Sequence, residues 1–274
     1  MLLPYEKRRR VVAATAGILT SAIWQIANQS GIEVGGITIF PAMLGLLTLF
    51  INPLPVGPNE RLWYFAAALA VTNLPGMTFE NPHPLSGWKG ALMGAILAAP
   101  ILIAALQSSR VVGSRTTSLT RIEASSILFV GISIIAICQG YNRIMRANGV
   151  PNEDRSMFIG DTEVHHITWG VLVIVYIGSI WNHVGPGRLK RRAAILALGC
   201  GIGMAWDEWL YSLTRPMTDD NYFSVETILG ATLAAIFSGC TWLVCSTKTS
   251  NPGAAVFRLS LIGDFALPFC CLGF

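Results

Sequence analysis

The sequence predicts an all-α protein, a polytopic transmembrane helical bundle, and three observations carry that prediction. Of its 274 residues, 53% are hydrophobic and 12% charged, whereas a soluble domain carries about 25% charged residues. The apolar residues fall in long blocks instead of alternating, and a bilayer core about 30 Å thick requires roughly 20 such residues per helical span. These blocks are too long for barrel strands, which leaves helices as the structure that satisfies every backbone group in lipid.

About eight blocks qualify. Val11 to Gln29 is the first. Glu6, Lys7, Arg8, Arg9 and Arg10 precede it, and without a small-residue cleavage site it reads as an anchor and not as a removable signal. Ile32 to Ile51 follows. Leu62 to Leu74 is short and interrupted by Asn73 and Pro75, which predicts a tilted, broken or re-entrant element. Trp88 to Leu106 contains Gly90 and Gly94, and Ala193 to Leu213 contains Gly199 and Gly203, small-residue pairs that let helices approach closely. Between them lie Ile122 to Tyr141 and Val164 to Trp181. Val225 to Ser246 is the eighth, and Val256 to Phe274 makes a short ninth apolar segment. The chain reads as a single integral membrane domain over 1–274, with five spans in 1–141 and spans six to eight in 161–246.

The net charge of +4 does not indicate nucleic-acid binding, because the basic residues sit in short connections beside apolar segments. With a cytoplasmic N terminus, the inner side receives Lys7 to Arg10, Arg61, Arg110, Arg115, Arg121, Arg188, Lys190, Arg191, Arg192 and Lys248. The outer side receives only Lys89, Arg143, Arg146, Arg155 and Arg215. That asymmetry predicts a multi-pass protein of the cell membrane with its N terminus cytoplasmic. Cys138, Cys200, Cys240 and Cys245 lie in apolar segments and Cys270 and Cys271 in the apolar tail, without zinc or disulfide spacing. They read as small buried hydrophobes.

Ionisable residues inside membrane spans are costly and invite a functional reading. Here they concentrate in Asp161-Thr162-Glu163-Val164-His165-His166, in Asp207-Glu208, in Asp219-Asp220 and at Glu226. Counted from the cytoplasmic ends at 1.5 Å per residue, His165 lies at about 25 Å, Asp207 at about 22 Å and Glu226 at about 30 Å. Three helices of alternating direction thus bring imidazoles and carboxylates into one outer layer. Asp161 and His165, four apart, share a helix face, as do Glu163 and His166, three apart. His165, His166, Asp161 and Asp207 are candidate ligands for a divalent metal such as zinc, iron or manganese. Glu208 and Glu226 are candidate general bases, and Tyr211 and Tyr222 candidate donors to an oxyanion. The competing reading pairs the carboxylates with Arg143, Arg146, Arg155 or Arg215 as packing contacts. His183 reads as an interface residue and His83 as a turn residue.

The run Asp161 to Gly170 contains His165-His166-x-x-x-Gly170. Gly199 to Gly203, Asp207-Glu208 and Asp220-x-Tyr222-x-Ser224-Val225-Glu226 follow it. This pattern resembles a poorly characterised group of bacterial and archaeal integral membrane proteins with a His-His-x-x-x-Gly helix and an Asp-Glu helix. Phe223 stands where that group usually has Trp, and Glu226 where it has Asp. Asp161-x-x-x-His165 with Glu208 is more faintly similar to the VanZ-like membrane proteins, with Thr162 in place of their Lys. Two function classes follow for the whole chain. One is a metalloprotein of the extracytoplasmic leaflet that hydrolyses a lipid or lipid-linked substrate. The other is a non-catalytic subunit or assembly factor bound to other membrane subunits, in which the polar cluster serves helix packing.

Overall fold

The computed structural model describes residues 4–29, 40–55, 59–75, 87–107, 119–155, 158–159, 162–184, 188–213 and 219–245. Helices α1 (Tyr5–Gln29), α2 (Phe40–Ile51), α3 (Glu60–Thr72), α4 (Trp88–Leu97) and α5 (Ala99–Gln107) make up the first half. The second half has α6 (Arg121–Ala147), the single turn α7 (Asn152–Arg155), α8 (His166–Val184), α9 (Arg188–Glu208), a 3-10 turn at Tyr211–Leu213, α10 (Asp219–Tyr222) and α11 (Val225–Cys245). Between α7 and α8 a two-residue antiparallel pairing joins β1 (Phe158–Ile159) to β2 (Thr162–Glu163). Apart from that pairing the described architecture is all-helical.

Local chemistry sets the helix ends. Thr120 caps α6 in a reciprocal capping box with Glu123, satisfying two orphan amide donors. The turn at Ala98 separates α4 from α5 because Pro100 has no N–H to offer the preceding turn. Asn73 closes α3 just before Pro75, so the third element is short and ends inside the protein, with Asn73 fully buried.

Among the described residues, four segments are long and apolar enough to cross a membrane: Tyr5–Ala27, Trp88–Gln107, Arg121–Ala147 and Val225–Leu243. Pro41–Ile51 and His166–Trp181 are shorter apolar helices. Much of their surface is apolar and outward facing, including Ile122, Phe129 and Ile137 on α6 and Leu233 and Ile236 on α11. Such faces suit a lipid solvent.

Small residues fix which helices touch. A Cβ at Gly94 would collide with the Thr72 backbone, one at Gly178 with the Trp63 ring, one at Gly203 with Gly131 O, and one at Gly170 with Gly201 O and Ala205 N. Gly17 lies against Phe65 to Leu69, and Gln25 Nε2 donates to Thr72 O at 2.8 Å, so α1 and α3 run parallel. Gly170 meets Ala205 while Ile167 meets Glu208, so α8 and α9 are antiparallel; Gly199 meets Val130 while Gly203 meets Ile134, so α6 and α9 are parallel. One core cluster joins the two halves. At its centre Trp206 stacks on Trp242 at 5.7 Å, Phe50 meets Trp206 edge-on, and Trp242 Nε1 donates to Phe50 O at 2.9 Å.

The consequence for function is a division by ends. At one end Arg10 pairs with Glu60 at 3.0 Å, and Arg191 pairs with Glu123 while lying over Trp181. At the other end the C terminus of α9 meets the N terminus of α8, the late part of α6 and the α10 turn, and there the carboxylates and imidazoles gather.

Candidate metal centre

Helix α8 begins at His166, so the amide of Ile167 in its first turn has no intrahelical acceptor. Glu208, the last residue of antiparallel α9, supplies one: its Oε2 accepts from Ile167 N at 2.9 Å. A carboxylate there also faces the positive end of the α8 dipole. This cap fixes the height of α9 against α8 and brings both imidazoles to the Asp207-Glu208 pair. His165 Nδ1 lies 3.8 Å from Glu208 Oε1, and His166 Nδ1 lies 3.5 Å from Glu208 Oε1 and 3.6 Å from Asp207 Oδ2.

Asp207 is fully buried and Glu208 is 5% exposed, so neither carboxylate can rely on water. Asp207 Oδ1 accepts from Gln139 Nε2 of α6 at 2.8 Å, and its Oδ2 accepts from the Tyr222 hydroxyl of α10 at 2.6 Å. Burial, then the neighbouring Asp207 carboxylate, raises the Tyr222 pKa above its ordinary value, so the phenol stays a donor. Tyr211 forms a wall between the two: its ring meets His165 edge-on at 5.8 Å and Tyr222 at 5.3 Å.

Cys138, His166 and Asp207 each offer one ligand atom, and the three atoms lie within 4.8 Å of one another. Thiolate sulfur, imidazole nitrogen and carboxylate oxygen are a donor set suited to a borderline divalent ion. Among the described residues His166 Nδ1 makes no hydrogen bond of normal geometry; its nearest acceptors are the Glu208 and Asp207 carboxylates at 3.5 and 3.6 Å. Gln139 and Tyr222 hold Asp207 from behind, as outer partners of a ligating carboxylate do. This group could hold a metal ion.

The structure therefore rearranges the expected site. His165, His166, Asp207 and Glu208 come together. Asp161 lies outside the described residues. The face sharing of Glu163 with His166 is not formed, because Thr162–Glu163 is extended and the helix starts only at His166. Glu226 does not join: it is exposed in the first turn of α11, whose buried face is formed by Thr227, Gly230, Ala231, Ala234 and Ala235. One residue is 100° of helix rotation, enough to turn Glu226 away from the face that carries Thr227.

The arginine reading fails at Asp207 and Glu208, since among the described residues no arginine pairs with either. Arg146 pairs instead with Asp220 at 2.8 Å. Cys138 and Gln139 are the residues the sequence reading missed. Cys138 counted as a buried hydrophobe, although a Cys-Gln pair followed by Asn142 late in an otherwise apolar span was a polar signal at the right depth. Comparison with known protein families, with characterised proteins and with solved structures returns no match for this chain.

Proposed function

We propose that this chain is a cell-membrane protein of about eight passes with a cytoplasmic N terminus, whose extracytoplasmic end binds one divalent metal ion and hydrolyses a lipid or lipid-linked substrate. The convergence of Cys138, His166 and Asp207 within 4.8 Å carries the reading. A thiolate in the set favours zinc or iron over manganese. Three protein ligands with a position left open is the arrangement of catalytic rather than structural zinc sites. His165 stands beside the ligand set as a partner of Glu208.

A divalent ion at this point would supply Lewis acidity to a carbonyl or phosphoryl oxygen. The remaining roles fall to the chain itself. Glu208, held by the Ile167 amide and flanked by both imidazoles, is placed to accept a proton from an attacking water. Tyr222 orients Asp207, and the Tyr211 ring packs edge-on against His165. Likeness to the bacterial and archaeal group with the same His-His and Asp-Glu helices supports the membrane assignment without adding a reaction.

Elemental analysis of the protein purified in detergent without chelators tests the proposal. One equivalent of zinc or iron is expected in the parent chain, with loss of that metal in His166→Ala and in Cys138→Ser and retention of the fold by circular dichroism. A parent chain without stoichiometric metal after incubation with zinc and with ferrous iron would leave the cluster architectural and the proposal wrong. Accessibility labelling of a cysteine introduced near Arg188 tests the orientation: labelling from outside intact cells overturns it.

A further inference from the structure

We propose that the open groove along the first turns of α6, at the end of the bundle opposite the candidate metal centre, holds one anionic phospholipid. Its mouth is Arg121, the first residue of the helix, and its wall continues through Ser125, Phe129 and Val130 to Leu196 of the neighbouring α9. The groove measures about 550 Å³, within the range of roughly 300–1,000 Å³ usual for small-molecule sites. Arg121, Ser125 and Phe129 are spaced by four, so they stay within about 80° of one another around the helix. Position along the axis orders the chemistry. Arg121 is charged, Ser125 brings a hydroxyl about 6 Å farther along, and Phe129 and Val130 are apolar at about 12–14 Å. Charge, hydroxyl and hydrocarbon thus follow one another as phosphate, ester and acyl chain do in a phospholipid, over a length close to one leaflet of a core about 30 Å thick.

Arg121 identifies the head group. Among the described residues its guanidinium makes neither a hydrogen bond nor an ion pair, so the whole fork is open to a phosphate. The nearest acid in sequence is already engaged: Glu123 closes the capping box with Thr120 and pairs with Arg191. As the first residue of α6, Arg121 also stands at the positive end of the helix dipole, where a cation is disfavoured and an anion favoured. Arg192 is a second cation without a partner among the described residues. It lies one turn before Leu196 on α9, and because Gly199 meets Val130 it comes within about 3 Å of the level of Arg121 along the bundle. A charge that served only to orient the chain in the membrane would need to be on this side. It would not need to line a groove.

The walls identify the rest of the ligand. Ile122, Phe129 and Leu196, all lining the groove, are 80%, 74% and 52% exposed. A soluble anion would use the guanidinium and leave those walls bare, while an apolar helix from another chain would cover the walls and leave the guanidinium unanswered. An anionic lipid answers both. Between them the Ser126 hydroxyl returns to Ile122 O at 2.8 Å. The exposed Ser125 hydroxyl has no such partner among the described residues and can donate to an ester carbonyl.

Native mass spectrometry of the full chain in detergent, titrated with dioleoyl phosphatidylglycerol, dioleoyl phosphatidylcholine or inorganic phosphate, tests the proposal. One phosphatidylglycerol is expected to bind in preference to phosphatidylcholine, and Arg121→Gln should cut that preference roughly fivefold. Arg121→Lys should restore part of it. Ser125→Trp fills the groove without changing charge and should weaken both lipids alike, with the unfolding temperature of each variant close to that of the parent. Lys7→Gln, the same loss of charge at the same end but on α1, should leave the preference intact. An undiminished preference in Arg121→Gln, or an equal loss in Lys7→Gln, overturns the site in favour of diffuse surface charge. Inorganic phosphate binding as tightly as phosphatidylglycerol overturns the lipid, and so does a dimer of the chain that Ser125→Trp dissociates, which would put a second copy in the groove.

Discussion

The Tyr222 hydroxyl donates to Asp207 Oδ2 at 2.6 Å, tying the short α10 turn to the last turn of α9 across the candidate metal centre. Two residues fifteen apart in sequence are joined there by a short, buried hydrogen bond to a carboxylate. The same carboxylate takes a second donor, Gln139, from α6. Asp207 is thereby held from two helices, with His166 and Cys138 on its open side.

Tyr222→Phe removes that donor and keeps the ring. Hydrogen bonds to charged groups contribute about 1.5–3 kcal/mol, so thermal unfolding in detergent should show a loss of that order. Metal affinity should fall about 10- to 100-fold, as for other outer partners of a ligand. Because the folded state raises the Tyr222 pKa, the stability it contributes is fully present below about pH 10 and declines as pH rises beyond that ordinary value. The advantage of the parent over the variant in unfolding temperature should therefore hold from pH 7 to about 10 and begin to shrink by pH 11.

Glu208 separates two consequences of one carboxylate. Glu208→Gln keeps an acceptor for the Ile167 amide, while Glu208→Ala leaves that buried donor and the two imidazoles without it. The alanine variant should lose about 1–3 kcal/mol more than the glutamine variant. Turnover, once a substrate is in hand, should fall equally in both, because neither side chain accepts a proton. Full activity in Glu208→Gln would remove Glu208 from the proton-transfer role.

Arg10 and Glu60 form the deepest ion pair at the opposite end, 3% and 17% exposed at 3.0 Å. Arg10→Ala takes the guanidinium from Glu60 and should destabilise the protein by about 1.5–3 kcal/mol. Arg10→Met combined with Glu60→Gln should recover most of that loss. A single variant as stable as the parent in chemical unfolding would show the pair to be solvated.

Gly94 and Gly140 predict opposite signs for the same substitution. Gly94→Ala forces a methyl group into the Thr72 backbone and should cost about 1–3 kcal/mol or more. At Gly140 a Cβ meets nothing within 4 Å, and Gly140→Ala in the interior of α6 should be neutral or stabilising by up to about 1 kcal/mol. Paired melting curves in one detergent check both.

The sequence by itself predicted a bundle of apolar helices with His165, Asp207 and Glu226 at one depth. Hydropathy is a local property, and depth along a helix is a count of residues at a fixed rise. Rotation about each helix axis, and the choice of neighbour, are not local. They follow from where small residues permit contact, as Gly170 does against Gly201 and Ala205, and Gly203 against Gly131. Only that packing decided that Cys138 and Gln139 turn into the layer, that Tyr222 reaches over it, and that Glu226, at a suitable depth, points elsewhere. It also gave Asp207 an amide and a phenol as partners in place of the arginines of the competing reading, while Arg143 and Arg146 lie over Phe223, just after α10.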